Sequence, residues 1–293
     1  MKLIDGRAVA EELKNSMKQD VQEYKKKSGR VPHLAAILVG NNPASKAYVA
    51  NKVKSCDQVG FNSTIIKLDE DVAEEFLLSE IEKLNNDPDI DGFIVQLPLP
   101  KHIDEVKVTL AIDFKKDVDG FHPVNFGRMA QGLPCYLPAT PYGITLLLER
   151  YNIETAGKHV VVVGRSNIVG TPISILLSRK SKMGDATVTL THSRTKNLQR
   201  ILMQADIIIA AIGIPGFIKE DMVRQGAVVI DVGINRIEED NIEKSSRLVG
   251  DVDFETVKEK CSFITPVPGG VGPMTVMGLM MNTLKSAMKE VYK

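Results

Sequence analysis

Gly164-Arg165-Ser166-Asn167-Ile168-Val169-Gly170-Thr171-Pro172 follows the apolar run His159-Val160-Val161-Val162-Val163 and precedes Ile173-Ser174-Ile175-Leu176-Leu177. Buried strand, glycine turn and helix start come in the order by which an α/β protein presents backbone N–H groups to a phosphate. The stretch departs from the G-x-G-x-x-G dinucleotide fingerprint, because Ser166 stands where the second glycine belongs. Strand–turn–helix units that hold no ligand share this pattern, so the rest of the chain must decide.

The same chemistry recurs downstream. Ala186–Thr191, Ile207–Ala211, Ala227–Asp231 and Ser262–Pro266 read as further strands, and Gly213 and Gly233 stand just beyond two of them. Glycines repeated past strand ends describe one rim where backbone can approach a ligand closely. An acid ending the second strand would bind the ribose 2′-hydroxyl of NAD. Here that strand ends Thr191-His192-Ser193-Arg194, and Asp185 lies at its wrong end. A hydroxyl and a guanidinium, with Arg165 in the first turn, favour the 2′-phosphate of NADP. The alternative is a surface loop that happens to carry arginine.

Length and composition set the frame. The chain has 293 residues, 43% of them hydrophobic, enough for roughly two domains with separate cores. Lys+Arg and Asp+Glu both number 37, so no basic excess supports a nucleic-acid partner. No apolar run approaches the ~20 residues of a membrane span. The start, Met1-Lys2-Leu3-Ile4-Asp5-Gly6, lacks the features of a signal peptide. Cys56, Cys135 and Cys261 are isolated and show no metal-ligand spacing, as free thiols of a reducing compartment would. A soluble cytoplasmic protein is expected.

The first half alternates helix and strand, which argues for parallel βαβ units. Asp5 reads as the N-cap of a helix with an apolar stripe at Val9, Leu13, Met17 and Val21. His33–Val39, Thr64–Leu68 and Gly92–Leu97 read as strands. A helix from Ser45 to Val59 carries a core stripe of Val49, Val53 and Cys56, and Tyr48 and Lys52 share a face beside it. They face a cleft or snorkel to the surface. A second helix, Asp71–Asn86, carries Phe76, Leu77, Ile81 and Leu84. Gln96 sits at the carboxyl end of a parallel strand, where open α/β sheets place ligands, although it could also cap loop backbone. Lys116-Asp117-Val118-Asp119-Gly120 is either an Asx-turn or a carboxylate for a substrate. Pro266 to Thr275 holds three glycines and three prolines. Such a loop can lie flat against a planar ligand or merely connect a strand to a helix from Thr275 to Tyr292.

Taken together, these stretches resemble the bifunctional methylenetetrahydrofolate dehydrogenase/methenyltetrahydrofolate cyclohydrolase family, the FolD type. The resemblance rests on Tyr48–Lys52, Val95-Gln96-Leu97-Pro98-Leu99-Pro100, Lys116–Gly120, Gly164–Pro172 and Pro266–Thr275, in the family's order and over nearly the whole chain. It implies Lys52 as the essential lysine, Tyr48 as its stacking and hydrogen-bonding neighbour, and Gln96 as the residue that orients it. Asp119 would bind the pterin ring, and Val95, Leu97, Pro268, Gly269, Gly270, Val271 and Gly272 would contact folate. Gly164, Arg165, Ser166, Ser193 and Ile234 would contact NADP, with Arg194, Gly213 and Thr275 added from the rim and the loop. The implied architecture is two α/β domains with a cleft between them, the second a Rossmann-like parallel sheet. Residues 1–138 would form the catalytic domain, with helix 275–293 returning to it, and 139–274 the NADP domain. A homodimer is implied. The formate ligase activity of longer members is not expected in a chain ending at Lys293.

The chemistry suits these residues. Hydride leaves a carbon flanked by two nitrogens, so oxidation needs positioning more than a proton relay. Hydrolysis of the resulting cation moves protons and needs an acid/base, the part expected of Lys52. Two alternatives stand beside this reading: an NADP-dependent shikimate dehydrogenase-like oxidoreductase, and a non-catalytic NADP-binding sensor. The first leaves Val95–Pro100 and Pro268–Gly272 without a purpose, and the second leaves Lys52, Gln96 and Asp119 without one.

Overall fold

The computed structural model describes residues 1–238 and 246–292. Lys293, the last residue of the expected returning helix, lies outside them. In chain order the strands are β1 (Lys2–Leu3), β2 (His33–Val39), β3 (Asn62–Leu68), β4 (Gly92–Val95), β5 (His159–Val163), β6 (Thr187–Thr191), β7 (Ile207–Ala210), β8 (Val228–Asp231), β9 (Asn235–Glu238), β10 (Ser246–Val249) and β11 (Phe263–Ile264). The chain divides into two compact units, Met1–Ala10 with Thr140–Thr275, and Glu11–Ala139 with the residues from Val276 onward. The divisions fall inside the helices Gly6–Ser28, Ala139–Arg150 and Val271–Ala287.

One unit is built on a parallel sheet of order β3-β2-β4. The central strand β2 is buried from Leu34 to Val39, which is why its sequence is continuously apolar rather than alternating. After β2 comes the helix Pro43–Val59. Asn42 Oδ1 accepts the N–H groups of Ala44 at 2.9 Å and Ser45 at 3.2 Å. Pro43 takes the first helical position, where no N–H is missed. In the next helix, Glu74–Asn86, Leu77, Ile81 and Leu84 are buried. Phe76, carried by the same helix, is 49% exposed. It precedes Leu77 by one residue, about 100° around the helix.

The other unit holds the parallel sheet β1-β11-β8-β7-β5-β6 and the antiparallel pair β10-β9. β5 pairs with β6 on one side and β7 on the other. The chain thus reverses its direction of winding between β5 and β7, the switch point at which such sheets bind ligands. The pairing of β1 with β11 draws Met1–Ala10 into this unit, whereas the sequence reading put those residues in the first domain. Two residues are too short a strand for periodicity to reveal. The last helix starts at Val271, not Thr275. Gly272 and Pro273 therefore lie in its first turn, where a proline costs no hydrogen bond.

Both sheets seal their amino edge with the same device. Asp91, just before β4, accepts His33 N–H at 2.8 Å and two bonds from Arg30. Asp206, just before β7, accepts His159 N–H at 2.7 Å and pairs with Arg224. Each histidine ring bonds a threonine of the adjacent edge strand, Thr64 and Thr189, at 2.9 Å in both cases.

Candidate active site

Lys52 stands on the helix after β2, and Gln96 one residue past β4. Gln96 N–H donates to Ile37 O at 2.9 Å, extending the β2–β4 ladder by one step. The pair thus lies at the carboxyl end of the two neighbouring strands where this sheet, too, reverses its winding. Lys52 is only 7% exposed, and its Nζ donates to Gln96 Oε1 at 3.1 Å. Gln96 Nε2 donates to Leu97 O at 2.7 Å, which fixes the amide with its oxygen toward the lysine. The sequence placed Lys52 beside the core stripe. The structure places it among the buried residues with Val49 and Cys56, while Val53 is only partly buried. Tyr48 lies one turn earlier on the same face, 36% exposed, and desolvation pushes its hydroxyl pKa up.

Burial pushes the Lys52 amine below its ordinary pKa, and the Asp119 carboxylate pulls it partly back. Burial pushes Asp119 up, and Lys52 pulls it down. The two therefore sense each other's charge in a low-dielectric setting. Val95, Leu97, Asp119 and Phe121 line one narrow recess.

The loop that carries Asp119 is wrapped around Asp117. Asp117 Oδ1 accepts Gly120 N–H at 3.2 Å, and Oδ2 accepts His122 N–H at 2.8 Å and Asn125 Nδ2 at 2.9 Å. Asn125, 0% exposed, also donates to Phe114 O and accepts from Tyr136 N–H and the Tyr292 hydroxyl. Of the two acids in the motif, Asp117 thus makes the turn, and Asp119 is left to face Lys52. Desolvation pushes the Asp117 carboxyl up to about 7 against those hydrogen bonds. Lys116 Nζ closes the end of helix Glu74–Asn86 by donating to Leu84 O and Asp87 O.

In the six-stranded unit, Gly164 has φ +111°, and a Cβ there would stand 2.1 Å from Ala211 O. A Cβ on Gly170 would stand 2.0 Å from Gly164 O. Only glycine permits this closeness of turn and helix. Ser166, which breaks the fingerprint, uses its hydroxyl to accept the Val169 and Gly170 N–H groups at 3.2 and 3.4 Å. It closes the turn where a second glycine would have left space. β5 and β6 pair Val163 with Thr191, so Arg165 and Ser193 each lie two residues past that pair. Arg165, Ser193 and Arg194 are exposed. A cationic, hydroxyl-bearing rim at the switch point fits a nucleotide with an added phosphate. Gly213 and Ile234 are exposed on the same carboxyl edge, and Thr275 Oγ1 meets Thr140 Oγ1 at 2.9 Å.

The loop Pro266–Gly270 belongs to this unit and rests on the start of helix Gly6–Ser28. Arg7 N–H donates to Gly269 O at 3.1 Å, and a Cβ on Gly6 would stand 1.8 Å from Gly270 O. Val271 and Gly272, expected in the loop, lie in the following helix. Asp5 caps the helix as expected, accepting Arg7 and Ala8 N–H at 2.9 and 3.0 Å.

Residues 4–119 match the sequence model of the tetrahydrofolate dehydrogenase/cyclohydrolase catalytic domain, and residues 138–291 that of the family's NAD(P)-binding domain. The chain belongs to the tetrahydrofolate dehydrogenase/cyclohydrolase family. The bifunctional protein FolD of Flavobacterium johnsoniae is 60% identical over 97% of this chain and 96% of its own. That of Bacteroides thetaiotaomicron is 57% identical over the full length of both. Among solved structures, the bifunctional FolD enzyme of Campylobacter jejuni superposes with a TM-score of 0.93 at 46% identity, covering 99% of each chain. The Trypanosoma brucei enzyme, solved with NADP cofactor and an inhibitor, has a TM-score of 0.93 at 37% identity, covering 99% of this chain and 98% of its own. Within this family, sequence reasoning had singled out Lys52, Gln96 and Asp119. It passed over Asn125, Asp231 and Asp251, whose partners lie far away in sequence.

Proposed function

We propose that the chain oxidises 5,10-methylenetetrahydrofolate to 5,10-methenyltetrahydrofolate with NADP and then hydrolyses the product to 10-formyltetrahydrofolate. Membership of the family supports both activities. The observation that carries the second is the buried Lys52–Gln96 pair beside Asp119.

NADP, when bound, accepts the hydride. Arg165, Ser193 and Arg194 would hold its 2′-phosphate, and Gly164, Ser166, Gly213, Ile234 and Thr275 would receive the rest. Asp119 holds the pterin ring, with Tyr48, Val95 and Leu97 as further contacts and Pro268 to Gly272 as the loop against folate. Oxidation asks these residues chiefly to orient the methylene carbon. Hydrolysis asks for a group that takes a proton from attacking water and returns one to the departing nitrogen. Lys52 suits that part, because its buried amine gives up its proton more readily than a solvated lysine. Gln96 keeps Nζ in one place through its oxygen, which has no charge to hold the lysine protonated.

The family membership also supports a homodimer, a cytoplasmic location and a product that serves as the formyl donor of purine synthesis. Among the described residues no helix is long and apolar enough to cross a membrane. The deciding experiment mixes purified protein with methylenetetrahydrofolate and either NADP or NAD, and follows coenzyme reduction by absorbance. Folate-dependent reduction faster with NADP supports the reading. Reduction driven only by a hydroxy acid, or NADP binding without turnover, overturns it.

A further inference from the structure

The carboxyl rim of the six-stranded sheet contains two buried carboxylates that the sequence reading did not use. Asp251 is 0% exposed and Asp231 3% exposed. Asp251 Oδ2 accepts the Ile212 N–H at 2.7 Å and the Gly213 N–H at 3.0 Å, both in the turn after β7. Its other oxygen accepts Asn235 Nδ2 at 2.9 Å, at the start of β9. A single carboxylate therefore ties together the segments that carry Gly213 and Ile234. Asp231, at the end of β8, fixes that carboxylate in turn. Its Oδ1 accepts Asp251 N–H at 2.9 Å and Gly233 N–H at 3.0 Å, and its Oδ2 accepts Val252 N–H at 3.0 Å. The packing leaves no slack: a Cβ on Gly233 would stand 2.2 Å from Asp251 Oδ1, and one on Gly250 1.8 Å from Asp231 Oδ2.

This arrangement bears on what Gly213 can do. Its N–H points at Asp251, so it is not free to bind a phosphate. What it offers is a bare, exposed backbone: among the described residues nothing beyond its two chain neighbours comes within 4 Å of where a Cβ would be. Such a surface has to be held still to be of use, and two loops without a shared anchor would each be ordered only on binding, at an entropic cost.

We propose that Asp251 is a positioning residue for the dinucleotide: it clamps the turn at Gly213 to the segment at Ile234 and Asn235, so that both present a preformed face to the coenzyme. The proposal rests on the reading of this rim as the NADP site. It assigns Asp251 no contact with the coenzyme and no part in proton transfer.

The two activities separate this role from a merely structural one. Hydrolysis of methenyltetrahydrofolate, assayed without NADP, does not need the coenzyme face. In Asp251→Asn one of the two carboxylate oxygens becomes an amino group, which cannot accept from Ile212 and Gly213 or from Asn235. The expected result is an NADP KM raised roughly tenfold or more, a matching loss of NADP affinity by calorimetry, and a cyclohydrolase rate within twofold of the parent. Asn235→Ala removes one arm of the clamp only. It should raise the NADP KM several-fold with the same split, and it decides the matter if Asp251→Asn does not fold. Loss of both activities together in Asn235→Ala, or unchanged NADP affinity in either folded variant, overturns the proposal. A parent protein without folate turnover, whose NADP affinity still falls in the variants, would overturn the enzymatic reading and leave this one standing.

Discussion

Lys52 Nζ donates to Gln96 Oε1 across 3.1 Å, and the same Gln96 amide is held from its other end by Leu97 O at 2.7 Å. A buried lysine thus has a neutral acceptor locked in place, with a carboxylate, Asp119, close enough to affect it. Had the partner been a carboxylate, Lys52 would be held as an ammonium ion. An amide orients the amine and leaves its proton available.

Gln96→Glu converts that neutral acceptor into an anion. The charge favours the ammonium form and raises the Lys52 pKa. If neutral Lys52 is the base, cyclohydrolase activity rises with pH through that pKa. The acid limb of the rate profile should therefore move to higher pH, and the rate near neutrality should fall. A pH–rate profile of methenyltetrahydrofolate hydrolysis checks this, and an unmoved limb counts against the role of Lys52.

Asp119→Asn acts in the opposite direction. The Asp119 carboxylate raises the Lys52 pKa, so its removal lowers that pKa further and shifts the acid limb to lower pH. Loss of the proposed pterin contact should also raise the folate KM by about ten- to a hundredfold, as expected for a hydrogen bond to a charged group. Steady-state kinetics at several pH values read both effects.

Arg165→Ala combined with Ser193→Ala removes the proposed 2′-phosphate contacts from neighbouring strand ends. Both side chains are exposed, so stability should change by less than about 0.5 kcal/mol. The NADP KM should rise about tenfold or more while the NAD KM stays within twofold. Equal effects on the two coenzymes would contradict the assignment.

Asn125→Ala tests the hub behind Asp119. It removes the Asn125 partner of Phe114 O, Tyr136 N–H and the Tyr292 hydroxyl, and one of the two donors to Asp117 Oδ2, which keeps His122 N–H. A cost of about 2–4 kcal/mol follows from removing four hydrogen bonds of one fully buried side chain. It should appear as a lowered denaturation midpoint.

Much of the fold is legible in the chain because β2, β5, β7 and β8 are buried on both faces and so read as unbroken apolar runs. β1 is two residues long, and β9 and β10 hold Asn, Arg, Glu and Ser, so neither periodicity nor hydropathy marks them. Gln96 stands out in the chain because it follows a strand at the end where α/β sheets place ligands, and Lys52 because it shares a helix face with Tyr48 beside the core stripe and matches the family's motif. Asn125, Asp231 and Asp251 do not, because their importance arises from groups on other segments: backbone N–H groups of neighbouring loops for the two acids, and the Tyr292 hydroxyl together with nearby backbone for Asn125. Asp251 meets Ile212 across 39 residues, and Asn125 meets Tyr292 across 167. No local pattern encodes such a meeting. Phe76 shows that apolar character alone does not mark the core: one position out of phase with the buried face, it stays on the surface.

The central claim is that Lys52 moves the proton in hydrolysis. Lys52→Met keeps the apolar stem and removes the amine. The measurement is the rate of methenyltetrahydrofolate hydrolysis by Lys52→Met and parent protein, with NADP affinity measured on both samples to show an intact coenzyme site. With Lys52 as the acid/base, the cyclohydrolase rate of the variant is lower by about 10²–10⁴-fold and its NADP affinity is unchanged. Full cyclohydrolase turnover in the variant would contradict it.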